Sequence, residues 1–454
     1  MKRIYIYSIA ICTILATGLS SCDKQLNIEP TQSIDQDKAL LTSKDVSVAL
    51  TGAYSELASV NLYGGRTYLT ADFLANVNSI EWSGTYQGMT QIINKTIPKD
   101  NLFVNNIWAD AYTTINDVNN VLSAIDKVED ANKDNIEGQA KFIRGSLYFE
   151  LVRLFGKAYN DGDPKTNLGV PLVLLPTQGV DESSLVSRAT VEQVYQQAIS
   201  DLMDAEIKLP ESNGFFATKY AAAGMLARVY LQQGEYAKAA AEANTVISLS
   251  GKTLTKNYID AFPPKGSAAG SNTSEDIFAI QITPQSGFNG YNEFYDSGDY
   301  GGRGDAAISD AWYNSYETGD KRLDTYFTSG GSRFIGKFSN LYGNISVIRL
   351  AEMYLIRAEA NLRLAPAAPI GGITPTQDLT TVRSRAGLAA IPATLANLLN
   401  ERAHELAFEG FALHDAKRTQ TDVGNIPWDD NKLVYPIPQR EIDANPNLVQ
   451  NPGY

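Results

Sequence analysis

The sequence predicts a mainly α-helical protein, and three observations favour this fold class. Apolar residues recur at helical spacing over much of the chain, as they do from Val46 to Leu57. Signals that start and stop helices flank several of these stretches. Near the middle of the chain, a short link containing Gly234 joins two apolar stretches, which is typical of a pair of antiparallel helices.

Composition narrows the possible function classes. The chain has 454 residues, of which 44% are hydrophobic and 20% are charged, as in ordinary globular proteins. Its formal net charge of −13 argues against binding to nucleic acid, because an acidic surface repels phosphates. Cys12 and Cys22 are the only cysteines, and there are two histidines, so a disulfide scaffold and a structural zinc site of the usual Cys/His kind are excluded.

The N-terminus has the features of a bacterial lipoprotein leader. Two basic residues precede a mostly apolar stretch over residues 4–19, which is shorter than the ~20 residues of a membrane-spanning helix. Leu19-Ser20-Ser21-Cys22 resembles a lipobox. We therefore expect residues 1–21 to be cleaved as a signal peptide, Cys22 to carry lipid, and residues 22–42 to form a polar tether. The alternative is an ordinary secretory signal with a chance cysteine.

Four amphipathic stretches follow in chain order, and each is predicted to form a helix. The third is expected to end at Gly156, which suits a helix C-terminus. Thr190 is expected to cap the fourth helix, because Gln193 three residues later completes a capping box. The predicted stretches are 46–59, 104–128, 136–155 and 190–209.

The segment 218–249 is predicted to be a pair of helices that resembles one tetratricopeptide (TPR) repeat. Gly234 permits the tight reversal, and Ala227 lets the two helices approach each other. Residues 347–364 and 376–386 are predicted to form a second, degraded pair. A generic helical hairpin is the alternative interpretation, and a TPR-like pair alone does not identify a function.

Two glycine-rich segments are unusually aromatic. Within residues 286–316, eight of 31 residues are aromatic, against 10% for the whole chain. A similar cluster occupies residues 63–86. Because loops lie on protein surfaces, we do not expect all of these aromatic side chains to be buried.

The C-terminal third carries three specific motifs: Glu401-Arg402…Glu405-Leu406…Glu409-Gly410, Asp415-Ala416-Lys417-Arg418 and Tyr435-Pro436-Ile437-Pro438…Asn445-Pro446-Asn447. With these motifs, the chain resembles the SusD/RagB family of outer-membrane nutrient-binding lipoproteins of Bacteroidetes. The resemblance also rests on the lipobox and on motifs spread over nearly the whole mature chain, of which the closing Pro-Ile-Pro…Asn-Pro segment is the most specific. Ala412 and Leu413 stand where family members usually carry larger polar and aromatic residues.

The resemblance implies a SusD-like helical fold with four TPR-like pairs and a loop-rich ligand-binding face. It also implies capture of oligosaccharide, or in some members peptide, and delivery to a TonB-dependent SusC-like outer-membrane transporter. No covalent chemistry, catalytic residue or cofactor is implied. We expect an N-terminal helical part over residues 43–257, a loop-rich ligand-face insertion over 258–344 and a C-terminal part over 345–454, in a lipoprotein that faces the cell exterior.

The two aromatic segments are the predicted ligand site, because sugar rings combine apolar faces with polar rims. We expect six aromatic residues to form a platform and four polar residues to act as its partners. The alternative for Trp82 and Trp312 is that they anchor loops from below. The platform residues are Trp82, Tyr86, Tyr291, Tyr295, Tyr300 and Trp312, and the polar partners are Asp72, Asn76, Asn292 and Arg303.

Other sites are not favoured by the sequence. His404 and His414 lack the spacing of a zinc protease motif, and Asp161-Gly162-Asp163 reads as a turn rather than a calcium loop, so no metal site is predicted. Hydrolase and NTPase signatures of the G-x-S-x-G and P-loop kinds are absent from the sequence. Two alternative functions stay open: a lipid-anchored glycoside hydrolase, whose carboxylate pair has no fixed spacing, and a TPR-type protein-interaction adaptor.

Overall fold

A computed structural model describes residues 40–454 apart from 178, 180–181, 265–270 and 366. The predicted signal peptide, Cys22 and most of the tether lie outside the described residues. The protein is mainly helical, as predicted. Its α-helices are α1 (Ser43–Leu57), α2 (Arg66–Ala75), α3 (Gln87–Ile93), α4 (Leu102–Ser123), α5 (Asp130–Phe155), α6 (Val191–Lys208), α7 (Lys219–Gln233), α8 (Tyr236–Leu249), α9 (Gly290–Tyr295), α10 (Asp310–Tyr313), α11 (Leu350–Leu364), α12 (Pro375–Arg385), α13 (Leu395–Glu405), α14 (Ala412–Arg418) and α15 (Gln439–Ala444).

The strands are short and pair two by two in antiparallel ribbons. The pairs are β1 with β5, β2 with β3, β4 with β8, and β6 with β7. The strands are β1 (Ile80–Trp82), β2 (Leu168–Pro171), β3 (Arg188–Thr190), β4 (Asp276–Ile280), β5 (Ala306–Ile308), β6 (Tyr326–Ser329), β7 (Ser332–Ile335) and β8 (Ile345–Arg349).

Local signals set several helix boundaries. Thr190 and Gln193 form the predicted capping box at the start of α6, and the side chain of Thr190 accepts the backbone N–H of Gln193. Thr42 and Asp45 form another at α1. The long helix α5 begins at Asp130, six residues before the predicted stretch. The sequence pattern missed these first turns because they are polar and carry no apolar periodicity.

The core is built around α5, which packs along α6. A Cβ at Gly145 would lie 2.9 Å from the carbonyl oxygen of Ala198, so glycine is what allows the two helices to approach so closely. Arg144 crosses the same interface, with Nε and Nη2 each 2.8 Å from a carboxylate oxygen of Asp201. This buried bidentate pair fixes the rotational setting of the two helices.

The predicted helix pairs are present. Gly234 ends α7 with φ 80° and turns the chain directly into α8, and α11 packs against both α8 and α12. One boundary is corrected: residues 347–349 belong to β8 rather than to the following helix. Their backbone pairs with β4, which local helical periodicity could not reveal.

The segment 258–344, predicted to be loop-rich, contains β4 to β7 and the short helices α9 and α10. Buried ion pairs hold Arg322 of this segment, and Arg349 at the end of β8, to the C-terminal motif. Arg349 donates to Glu405 at 2.7 Å and to Glu409 at 2.7 Å, and Arg322 donates to Glu401 at 2.6 Å. In the described ranges, no helix is both long and apolar enough to cross a bilayer.

Candidate functional site

The two aromatic segments of the sequence meet in the β1–β5 ribbon. Trp82 of β1 lies opposite Ala306 of β5, and the backbone N–H of Ser83 donates to the carbonyl oxygen of Asp305 at 2.8 Å. The residues that follow β1 therefore lie beside those that precede β5, although more than 200 positions separate them in sequence. This pairing assembles the candidate site.

Tyr86 and Arg303 form the exposed centre of the site, which we call the platform. The guanidinium carbon of Arg303 lies 4.5 Å from the centroid of the Tyr86 ring, within the range of a cation–π contact. Asp305 accepts from Arg303 Nε at 2.6 Å, and Thr85 accepts from Nη2 at 3.3 Å. These bonds fix the guanidinium above the ring. Tyr86 itself is 41% exposed.

A layer of buried aromatic rings supports Tyr86 from below. Phe294 lies 5.7 Å and Phe103 6.0 Å from the Tyr86 ring, both edge to face. Trp82 is half-buried in the same layer, and its Nε1 donates to Thr90 Oγ1 at 2.8 Å. A Cβ at Gly84 would lie only 2.3 Å from Cζ2 of Trp82, so backbone covers that edge of the indole. Trp82 therefore supports the loop from below, which was the alternative to a place on the exposed platform.

Tyr291 and Tyr295 are buried, which corrects their predicted place on an exposed platform. They are 2% and 0% exposed. Both rings stack on Phe338, with centroids 4.3 and 5.8 Å away. The reason is that α9 turns these side chains inward, against a segment more than 40 residues further along the chain.

The predicted polar partners divide in the same way. Asn292 is buried and donates to the carbonyl oxygen of Phe338 at 2.9 Å. Asp72 is buried and accepts the backbone N–H of Gly410 at 2.8 Å, and burial raises the pKa of its carboxyl to about 7. Asn76 accepts the N–H of Ile80 at 2.9 Å and so holds the turn before β1. These three residues bond to backbone, which corrects their predicted role, and Arg303 alone reaches the platform.

Tyr300 packs against another aromatic ring, and Trp312 lies at the far end of the ribbon from Tyr86. Tyr300 is half-buried against Phe327, with ring centroids 4.8 Å apart. Trp312 is in α10, which follows β5, so it lies beyond the opposite end of the ribbon from Arg303. Its Nε1 donates to the hydroxyl of Tyr326 at 3.1 Å. The structure therefore separates Trp312 from the platform.

Beside the platform lies an open depression of about 370 Å³, which we call the depression. The residues Phe288 and Tyr342 on its rim are each 37% exposed. Glu293 connects it to the platform, because the backbone N–H of Arg303 donates to its carbonyl oxygen at 2.9 Å. Its carboxylate accepts from Arg66 Nη2 at 3.1 Å. The depression is lined by Pro284, Gly287, Phe288, Glu293, Gly301, Leu341 and Tyr342.

Phe288 and Tyr342 were missed as site residues. Phe288 belongs to the aromatic-rich segment, so composition gave a signal, but Tyr342 lies outside that segment and had none. Together the platform and the depression offer exposed aromatic faces beside a guanidinium and a carboxylate, which suits a ligand with both apolar and hydroxyl-bearing faces. Among the described residues, no group of three or more His, Cys, Asp or Glu side chains could hold a metal ion.

The chain matches two related protein families. The SusD-like family described as starch-binding and associating with the outer membrane matches residues 26–231. The SusD family matches residues 337–432 and 420–454. The two matches together span most of the chain.

Individual relatives agree with these matches. SusD-like protein P2 of Formosa agariphila is 26% identical over 525 aligned positions that cover 99% of each chain. A SusD superfamily structure from Bacteroides thetaiotaomicron covers 90% of this chain and 100% of its own, with a TM-score of 0.79 and 27% identity. A laminarin-binding SusD-like protein covers 91% of this chain and 100% of its own, with a TM-score of 0.74 and 24% identity.

Proposed function

Because this chain belongs to the SusD family, we propose that it binds an oligosaccharide at the platform and the adjoining depression. The observation that carries the proposal is the exposed ring of Tyr86 with Arg303 fixed above it. The part of the Tyr86 ring that Arg303 leaves uncovered packs against the C–H groups of a sugar, while the fixed guanidinium donates to its hydroxyl groups. The family description, which names starch binding and the outer membrane, supports the same function.

The geometry favours an oligosaccharide over a single sugar. Tyr86 and the pair Phe288 and Tyr342 are exposed aromatic groups on separate segments, joined through Glu293. One glycan chain can contact both of these aromatic surfaces at once. The laminarin-binding relative shares the fold at 24% identity, so it does not select the glycan.

The test is a binding measurement on purified protein with a panel of neutral oligosaccharides and peptides. We expect Tyr86→Ala to weaken glycan binding by about tenfold, because one aromatic contact contributes roughly 1–1.5 kcal/mol and the loss of the ring also releases Arg303. Tyr313→Ala is a matched control, since Tyr313 also lies under an arginine, with the Arg333 guanidinium carbon 3.9 Å from its centroid. Equal affinities of the two variants, or a loss confined to Tyr313→Ala, would contradict the placement of the site.

The same panel separates the alternative functions. Tight binding of peptides without glycan binding would move the ligand class to peptides. Measurable turnover of any glycan would contradict a pure binding role and favour the lipid-anchored glycoside hydrolase.

We further propose that the protein delivers its ligand to a TonB-dependent SusC-like transporter, and that lipid on Cys22 holds it at the outer membrane, facing the exterior. The support is family membership together with the leader sequence. Affinity purification from membranes should recover a TonB-dependent barrel, and recovery of soluble partners alone would instead favour a TPR-type adaptor. Cys22→Ser should move the protein from the detergent phase to the aqueous phase.

A further inference from the structure

One carboxylate oxygen at the depression has no partner in the protein. Glu293 carries the charged side chain among the residues that line the depression. Its Oε2 accepts from Arg66 Nη2 at 3.1 Å, and within the described part of the chain no group donates to its Oε1. The side chain is 14% exposed, and Oε1 is not one of the enclosed polar atoms that lack a partner. A donor on a bound ligand can therefore reach this oxygen.

Arg66 fixes the orientation of the Glu293 carboxylate. Its Nη1 donates to Asn61 Oδ1 at 2.9 Å, so the two terminal nitrogens bond to different partners. Its guanidinium carbon also lies 5.2 Å from the centroid of Phe103, the ring that supports Tyr86. Arg66 cannot turn away from the carboxylate without losing these other contacts. The position of Oε1 is thus fixed relative to the platform.

The charges around Oε1 are paired, which favours a neutral donor. Arg66 pairs with Glu293 at 3.1 Å, and Arg303 pairs with Asp305 at 2.6 Å. Asp305, and to a smaller extent Glu293, raise the pKa of Arg303, so the Glu293 charge also acts on the guanidinium of the platform. A sugar hydroxyl both donates and accepts, so it suits Oε1 as well as Arg303. An ether or ester oxygen only accepts.

A ligand that covers Oε1 without offering a donor binds poorly, because the carboxylate then loses its hydrogen bond to water. Stacking on Tyr86 requires only C–H groups and does not distinguish such ligands. We propose that Glu293 selects glycans that present a free hydroxyl group in the depression over glycans in which that hydroxyl is esterified, methylated or absent. This inference rests on the proposed glycan-binding function and adds a determinant of its specificity.

The test is calorimetric titration with a neutral oligosaccharide and its deoxy analogues, each of which lacks one hydroxyl position. The probe is the member of the neutral panel that the wild type binds most tightly, starting with maltohexaose and laminarihexaose. We expect at least one analogue to bind the wild type about thirtyfold more weakly than the parent glycan does, because a hydrogen bond to a charged group is lost.

Glu293→Gln removes the charged acceptor but keeps an amide oxygen for Arg66. We expect this variant to bind the parent glycan about tenfold more weakly than the wild type does, and to bind the deoxy analogue as the wild type does. Loss of the hydroxyl then weakens binding to the variant by only about threefold, because the amide makes a neutral hydrogen bond. Such non-additivity identifies a direct contact between Glu293 and the hydroxyl.

Glu81→Gln is the matched control, because Glu81 is an exposed carboxylate on β1 that does not line the depression. It should change each affinity by less than about twofold, and thermal melting should show that both variants fold. If the effects of Glu293→Gln and of every analogue are additive, this inference is overturned, while weaker binding by Tyr86→Ala would leave the proposed function standing. No binding of any neutral glycan, or full binding by Tyr86→Ala, would overturn the proposed function and this inference with it.

Discussion

At the scale of single residues, the charged side chains of the C-terminal motif are structural. Glu405 accepts from Arg349 at 2.7 Å and also pairs with Arg385, and Glu409 accepts from Arg349 at 2.7 Å and from Lys337 at 2.6 Å. All of these contacts are buried or nearly so. The motif therefore holds Lys337 and the ends of β8 and α12 to the C-terminal helices, and removing one partner would leave a buried charge unpaired.

The carboxyl of Asp72 predicts a pH dependence of stability. Burial disfavours the charged form and raises the pKa of this carboxyl from its ordinary value of 3.8 to about 7 in the folded protein. The folded state therefore holds a proton that the unfolded state has lost, so this residue costs stability as pH rises from about 4 to about 7. Asp72→Asn removes this dependence on pH. The difference in the free energy of unfolding between the variant and the wild type should therefore change by on the order of 3 kcal/mol over this range.

Urea unfolding at pH 4.5 and pH 8 measures this effect. Asp126→Asn is a suitable control, since Asp126 is exposed and pairs with its exposed neighbour Lys127. A pH profile for Asp72→Asn that runs parallel to that of the wild type would refute the assignment.

At the scale of elements, close helix packing and tight turns explain why glycine occupies two positions that have no reactive or binding side chain. Gly145 brings α5 against the backbone of α6, and Gly234 turns α7 into α8. The β1–β5 ribbon assembles the candidate site, since its three residue pairs bring Tyr86 and Arg303 together. Short-range patterns predicted the long helices, but not α2 (Arg66–Ala75), which lies in an aromatic segment that the sequence had indicated to be a surface loop. They did not predict the ribbon, because each strand has only three residues and its partner is distant in sequence.

Gly145→Ala tests the contact between α5 and α6. The added Cβ would lie 2.9 Å from a backbone oxygen that cannot move without shifting α6, so we expect a loss of about 1–3 kcal/mol in the free energy of unfolding. Gly52→Ala in α1 is the matched control, because no described atom outside its own helix turn lies within 4 Å of a Cβ there. It should stabilise the protein by up to about 1 kcal/mol.

Urea denaturation of both variants gives the comparison. If Gly145→Ala is as stable as Gly52→Ala, the glycine is not required by helix packing.

At the scale of the whole molecule, the acidic surface bears on ligand choice. The net charge of −13 disfavours polyanionic glycans, while a neutral oligosaccharide bound by stacking and hydrogen bonds is unaffected by the field. We expect affinity for a neutral glycan to change less than about twofold between 50 and 500 mM NaCl. A sulfated glycan of the same length should bind more weakly at low salt. Calorimetric titration at the two salt concentrations measures the affinity for each glycan. Tighter binding of the sulfated glycan would point to a local basic surface instead.

The sequence by itself determined the helical class, the main helix boundaries, the TPR-like pairs and the family, because these depend on local periodicity, capping residues and motifs. It also located the two segments that form the candidate site. Only the tertiary structure decided which side chains face solvent. Tyr86 and Tyr291 are both tyrosines in glycine-rich segments, yet one is exposed and the other stacks on Phe338. The physical reason is that burial depends on contacts between segments distant in sequence, whereas sequence patterns report on near neighbours.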